Sequence, residues 1–200
     1  TYENGVVYSA AGSFIFALDA TTGEPIEGFG EHGQASPILD VLRQRYPEVE
    51  TAISMGYWFT SAPQIYNGVI YVGSTRSESL IPGGHVLAVD ARTGETLWKQ
   101  RRRAPYNTAA LTTGGGLVFI GDWERHVFAY DARTGDELWQ SRLSTMANGY
   151  PITYAVDGTQ FIAFGAGGPL GGSSWTSILP ADLLPEKRNP RAGNAIFVFA

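Results

Sequence analysis

The chain has 200 residues, a formal net charge of −5 and no cysteine. The acidic balance argues against a nucleic-acid partner, and the lack of thiols excludes disulfides, a cysteine-ligated zinc and a covalently attached c-type haem within this chain. Twenty-five glycines, 12% aromatic and 16% charged residues describe a turn-rich all-β chain, neither disordered nor coiled. Its length allows one or two domains, and no obvious linker divides it.

In chain order, Gly5-Val6-Val7-Tyr8 is a β-branched and aromatic run bounded by turn signals, which reads as a strand. Residues 14–24 add a strand that ends at Asp19 and a Thr-Thr-Gly turn. Ser36–Tyr46 is the best helix candidate, with Pro37 well placed near its start. Gly68–Gly73 and Gly116–Gly121 are further strands. The basic run Lys99–Arg103 reads as the solvated lip of a connection between strands. Ile152–Val156 and Gln160–Phe164 form a hairpin around Asp157-Gly158, a strong turn pair. Gly165–Gly172 is glycine-rich but has no following P-loop lysine, so phosphate binding is not supported; it reads as an irregular loop, followed by Trp175. Ala195–Phe199 is a last apolar strand. The sequence shows no signal peptide or membrane span, and Thr1 is not an initiator, which leaves processing of the start open.

One phrase organises the chain. Residues 85–98 read His-Val-Leu-Ala-Val-Asp-Ala-Arg-Thr-Gly-Glu-Thr-Leu-Trp, and residues 126–139 read His-Val-Phe-Ala-Tyr-Asp-Ala-Arg-Thr-Gly-Asp-Glu-Leu-Trp. Residues 14–24 are a weaker copy. Each phrase encodes a strand ending at Asp90 or Asp131, then a tight turn with a Thr hydrogen bond and a positive-φ Gly. A second strand then delivers Trp98 or Trp139. Alanine leaves room for a neighbouring unit, and tryptophan offers a flat ring with one donor. A period of about 40–50 residues signals stacked supersecondary units. The expected units are 1–34, 60–100, 104–142 and 150–200, with 35–59 inserted, in one partial or shortened domain. His85 and His126 open the phrases at equivalent positions and read, with the distant His32, as residues of the repeat rather than metal ligands.

The pattern Ala-x-Asp-x-x-Thr-Gly-x-x-x-Trp resembles the tryptophan-docking motif of quinoprotein dehydrogenases, which use pyrroloquinoline quinone (PQQ). Residues 104–123, the phrase that follows, Tyr150–Tyr154 and Gly165–Gly168 resemble the C-terminal part of the PQQ-dependent alcohol and glucose dehydrogenases. Gly193–Phe199 resembles that family's closing strand, and residues 14–34 an early-blade segment. The resemblance implies an all-β propeller of four-stranded blades, eight in the family and about four in this chain. PQQ would lie on the axis beside a calcium ion that polarises the quinone carbonyl, while the protein supplies position and electrostatics.

It also implies a site. Glu78 follows a strand at the offset of the family's calcium-binding Glu, and a carboxylate suits that hard cation. Arg76, Asn107 and Trp123 are the candidate cofactor-binding residues; an amide such as that of Asn107 both donates and accepts, which suits a carbonyl-rich ligand. No counterpart is found for the general-base Asp, for one Asn ligand of the metal, or for the aromatic residue that stacks on the quinone. The expected function is a periplasmic dehydrogenase, or part of one, oxidising an alcohol or an aldose sugar and passing electrons to a quinone or cytochrome. The alternatives are a non-enzymatic propeller scaffold and a degenerate dehydrogenase without a base. A half-ring would expose apolar sheet faces, so self-association to complete the ring is expected.

Overall fold

A computed structural model describes residues 1–59, 61–74, 84–167 and 193–200. Four antiparallel sheets follow one another along the chain, and within each the spatial order of strands equals their chain order. Blade 1 holds β1 (Tyr2–Glu3), β2 (Val6–Ala11), β3 (Phe14–Asp19) and β4 (Gln34–Ala35). Blade 2 holds β5 (Gln64–Tyr66), β6 (Val69–Gly73), β7 (Gly84–Asp90) and β8 (Thr96–Arg102). Blade 3 holds β9 (Leu111–Thr112), β10 (Leu117–Gly121), β11 (His126–Asp131) and β12 (Glu137–Arg142). Blade 4 has three strands among the described residues: β13 (Ala147–Val156), β14 (Thr159–Ala166) and β15 (Ala195–Phe199). The connection from blade 1 to blade 2 holds α1 (Pro37–Arg43), with Pro37 in its first turn, and a short 3-10 helix (Ile53–Met55). Among the described residues no helix is long and apolar enough to cross a membrane.

The repeated phrase builds the same hairpin each time. Asp131 Oδ1 accepts the backbone N–H groups of Arg133 at 2.8 Å and Thr134 at 2.9 Å. The Thr134 hydroxyl accepts the N–H of Asp136 at 3.2 Å, and Gly135 sits at φ +77°. Asp90, Thr93 and Gly94 repeat these roles, as do Asp19, Thr22 and Gly23. A register shift after Ala88 and again after Ala129 puts Trp98 opposite the one alanine and Trp139 opposite the other. In blade 4, Asp157 and Gly158 both take positive φ, the two-residue turn that suits strand twist.

Side chains of alternate faces bury each sheet against the next, as expected for stacked blades. Tyr8, Ile15 and Ala17 of blade 1 meet Ile70, Leu87 and Val89 of blade 2. Tyr71, Val86 and Ala88 meet Val118, Phe128 and Tyr130 of blade 3. Val127 and Phe119 meet Ile162, Phe164 and Phe199 of blade 4. Trp98 lies over Gly135 of the next blade, whose Cβ, if present, would come within 2.6 Å of the ring. Its indole donates to the Ala132 carbonyl at 2.9 Å, and so does the Tyr71 hydroxyl. Tyr8 makes the matching bond to Ala91 one interface earlier, at 2.8 Å.

Candidate functional site

The connection from blade 2 to blade 3 and the β10–β11 turn meet at one end of the sheets. Glycines let them approach: a Cβ on Gly84 would stand 2.7 Å from the Tyr106 nitrogen, and one on Gly121 would stand 2.4 Å from the Ala147 Cβ. Asn107 is held there from two sides. Its backbone N–H donates to Gly121 at 2.9 Å, and its side-chain Nδ2 donates to the Ala147 carbonyl at 2.8 Å. The residue is half-buried, and its Oδ1 has no hydrogen-bond partner among the described residues. The carboxamide is therefore fixed in direction and keeps its second N–H, as well as its Oδ1, for another group.

Trp123 is 8% exposed, and its backbone N–H donates to Pro105 at 3.1 Å. It thus ties the turn to the start of the connection that carries Asn107. Asp122 is buried, with its Oδ1 accepting the His126 backbone N–H at 2.9 Å, and the Asp122 N–H donates back to the His126 carbonyl. The turn draws ligand-type atoms of Asp122, Glu124 and His126 within 4.8 Å of one another. The Asp-x-Glu-x-His spacing was visible in the sequence, but only the tight turn brings the third residue back. The bond from Asp122 to the turn's own backbone accounts for its burial.

Arg76 and Glu78 lie outside the described residues, as do Gly168–Gly172 and Trp175. The residues flanking residues 75–83 are placed. Ser74 accepts the His85 N–H on its hydroxyl at 2.9 Å, and its own N–H donates to the His85 carbonyl at 2.8 Å. His85 is buried beside the Tyr57 ring, 5.8 Å away, and its Nδ1 has no hydrogen-bond partner among the described residues. Burial, then the positive charges of Arg101 and Lys99, push its imidazole down to about 4, so it is neutral at pH 7.

A cleft of about 550 Å³ is lined by Asn148, Gly149, Gly165, Gly167 and Asn194, and Asn148 follows in the chain the Ala147 whose carbonyl holds Asn107. Gly167, at φ +152°, lies against the Asn194 side chain, whose Oδ1 a Cβ would meet at 2.1 Å. Asn148 and Asn194 carry no sequence signal; the pairing of β14 with both β13 and β15 puts them on either side of that strand, both lining the cleft.

Below the site, a polar cluster joins blades 2 and 3. Tyr106 and Tyr130 share a 2.8 Å hydroxyl contact, and Arg102 Nε donates to Tyr130 at 3.3 Å. The Arg102 guanidinium lies 4.3 Å above the centre of the Phe128 ring and pairs with Glu137. Burial, then the neighbouring Tyr130, raises the Tyr106 phenol well above its ordinary value, so it stays protonated.

Successive antiparallel meanders, three of four strands and one with three among the described residues, each packed face to face on the next, define a β-propeller built from PQQ-type repeats. The sequence matches the family described as "Glucose/ethanol/alcohol dehydrogenase, beta-propeller domain" over residues 1–105 and 99–162, and the chain belongs to that family. It is 34% identical over 121 residues to a 1-butanol dehydrogenase (cytochrome c) of Thauera butanivorans, covering 60% of this chain and 16% of that protein. It is 35% identical over 114 residues to methanol dehydrogenase [cytochrome c] subunit 1 of Methylobacterium organophilum, covering 50% of this chain and 18% of that one. The chain thus spans under a fifth of the length of these curated relatives. Among solved structures, the quinohemoprotein alcohol dehydrogenase of Comamonas testosteroni shares the fold. Its TM-score is 0.59 at 20% identity, over 81% of this chain and 32% of that one.

Proposed function

We propose that this chain is part of a PQQ-dependent dehydrogenase that oxidises an alcohol by hydride transfer to the quinone and passes electrons to a cytochrome. The observation that carries the reading is the Asn107 carboxamide, fixed on the Ala147 carbonyl with its second N–H left for another group, in a chain of this family. The second N–H of the Asn107 carboxamide is a donor that suits a planar group rich in carbonyls and carboxylates, and the backbone carbonyl of Ala147 holds that carboxamide still. PQQ, when bound, supplies the hydride acceptor. Asn107 orients it, and the buried Trp123 fixes the backbone that carries Asn107 and helps keep water from that wall. Glu78 and Arg76 are proposed as calcium ligand and cofactor contact on the resemblance alone. The names of the two curated relatives favour an alcohol substrate and a cytochrome c acceptor; an aldose sugar, a quinone acceptor and a periplasmic location rest on the family resemblance. We also propose the four repeat units, with residues 35–59 as an insertion, as the domain plan.

A second reading, a propeller scaffold or a dehydrogenase without a base, is favoured by one observation: the sequence holds no counterpart of the family's general-base Asp. Titration of the chain with PQQ in the presence of calcium separates them. A ligand at 100 times its Kd raises stability by about 2.7 kcal/mol, readable as a shift in the urea midpoint. Asn107→Ala should weaken PQQ binding roughly tenfold, the value of one hydrogen bond to a charged or polar ligand. No shift with the parent chain sinks the dehydrogenase reading. Binding without alcohol-dependent dye reduction selects the degenerate form.

A further inference from the structure

Blades 2 and 3 make the same bond with different side chains, and the difference leaves a charge unaccounted for. Where the second strand of each blade ends, one side chain accepts the N–H of a histidine at the start of the third. In blade 2 the Ser74 hydroxyl accepts the His85 N–H at 2.9 Å, and in blade 3 Asp122 Oδ1 accepts the His126 N–H at the same distance. The backbone bonds from Ser74 to His85 and from Asp122 to His126 match as well. A neutral hydroxyl serves the bond equally well, so the bond explains where Asp122 sits but not its charge.

Asp122 is 2% exposed. Among the described residues its Oδ2 accepts no hydrogen bond, and no lysine or arginine pairs with it. A carboxylate withdrawn from water calls for a counter-charge, and buried ones are paired or coordinate metals. The turn supplies the rest of a ligand set. His126 Nδ1 stands 3.8 Å from Asp122 Oδ1, on a side chain still 29% exposed. Glu124 adds a second carboxylate, with ligand-type atoms of all three residues within 4.8 Å of one another. The two histidines that open the repeated phrase thus differ in kind: His85 meets a serine, His126 an aspartate.

We propose that Asp122, Glu124 and His126 bind one divalent cation of the zinc type at the β10–β11 turn. Two atoms each about 2.0–2.2 Å from one zinc ion can lie up to about 4.4 Å apart, so the Asp122–His126 pair spans such an ion with little movement. The imidazole favours zinc-type ions over calcium and magnesium, which take oxygen ligands. Three protein ligands leave a further position for water. The proposal does not depend on the dehydrogenase reading, because it needs no cofactor and uses neither Glu78 nor Asn107.

Calorimetric titration of the 200-residue chain with zinc chloride tests it, after EDTA treatment and in excess calcium without PQQ. One zinc ion per chain is expected, with a Kd below about 100 μM. His126→Gln and Asp122→Ser should each weaken binding at least about tenfold, because the loss of even an outer-shell partner costs that much. Asp122→Ser copies the blade 2 arrangement and keeps the structural bond, so its far-UV circular dichroism should match the parent. His32→Gln should bind as the parent does; that histidine, 3.4 Å from Glu27 at the surface, is the rival zinc site. A parent chain that takes up no zinc at about 100 μM overturns the proposal. So does unchanged affinity in Asp122→Ser, which would leave His126 as a lone surface ligand. Loss of binding in His32→Gln would move the ion to the Glu27–His32 pair and overturn it as well.

Discussion

Asp131 shows what a single side chain does in the repeated turn. Its carboxylate is held below the usual range by the N–H groups of Thr134 and Arg133, so the residue that ends the strand also shapes the turn. Gly135 is constrained twice, by φ +77° and by the Trp98 ring above it. Gly116 shares the backbone value, also φ +77°, but has open space around it. Gly135→Ala should therefore cost about 2–4 kcal/mol, strain plus overpacking, and Gly116→Ala only about 1 kcal/mol; urea unfolding of the two variants reads the difference. His85 yields a pH dependence. Its folded value of about 4 lies below that of the unfolded chain, so from about pH 6.5 down to about pH 4 the unfolded state binds the extra proton. Between pH 7 and pH 4.5 the parent should lose about 2 kcal/mol that His85→Phe does not lose. Equal slopes for the two chains would dismiss His85 as the cause.

At the scale of the element, one carbonyl joins two blades. Ala132 accepts both the Trp98 indole and the Tyr71 hydroxyl. Burial, then Asp131, raises that hydroxyl to about 12, so it remains a donor at any ordinary pH. Removing one donor leaves the carbonyl satisfied by the other. Tyr71→Phe should cost about 1 kcal/mol, whereas Trp98→Phe combined with it should cost more than the sum of the single changes, because a buried acceptor is then bare. A double-mutant cycle in urea measures the coupling; strict additivity would show that the two bonds act independently. The strands, the Asp157-Gly158 hairpin and the Pro37 helix start were legible in the sequence, since each rests on chemistry local to a few residues. The register shifts after Ala88 and Ala129 were not, because a bulge is fixed by the partner strand.

Among the described residues each blade packs only on its neighbours, so stability is approximately a sum of blade and interface contributions. Ile15→Ala, in the wholly buried contact between blades 1 and 2, should cost about 2–5 kcal/mol. Amide exchange should speed up in blades 1 and 2 and stay unchanged in β14, the central strand of blade 4. Uniform acceleration would mean that the four sheets unfold as one unit.

The sequence by itself determined the repeat, the turn that closes each hairpin and the apolar alternation of the strands. The family resemblance it carries marked Asn107 too, in the connection that opens the third blade. The propeller stack, however, is a relation between faces of different sheets, and no local spacing encodes which carbonyl will meet which ring. Only the tertiary structure decided that Trp98 and Tyr71 converge on Ala132, that Asn107 is pinned by Ala147 forty residues away, and that Asn148 and Asn194 meet in one cleft. It also decided that Trp123, a pocket candidate by sequence, is buried against the connection between blades. These outcomes follow from the packing of distant backbones, which glycines at 84, 121 and 135 permit and no short-range preference can state.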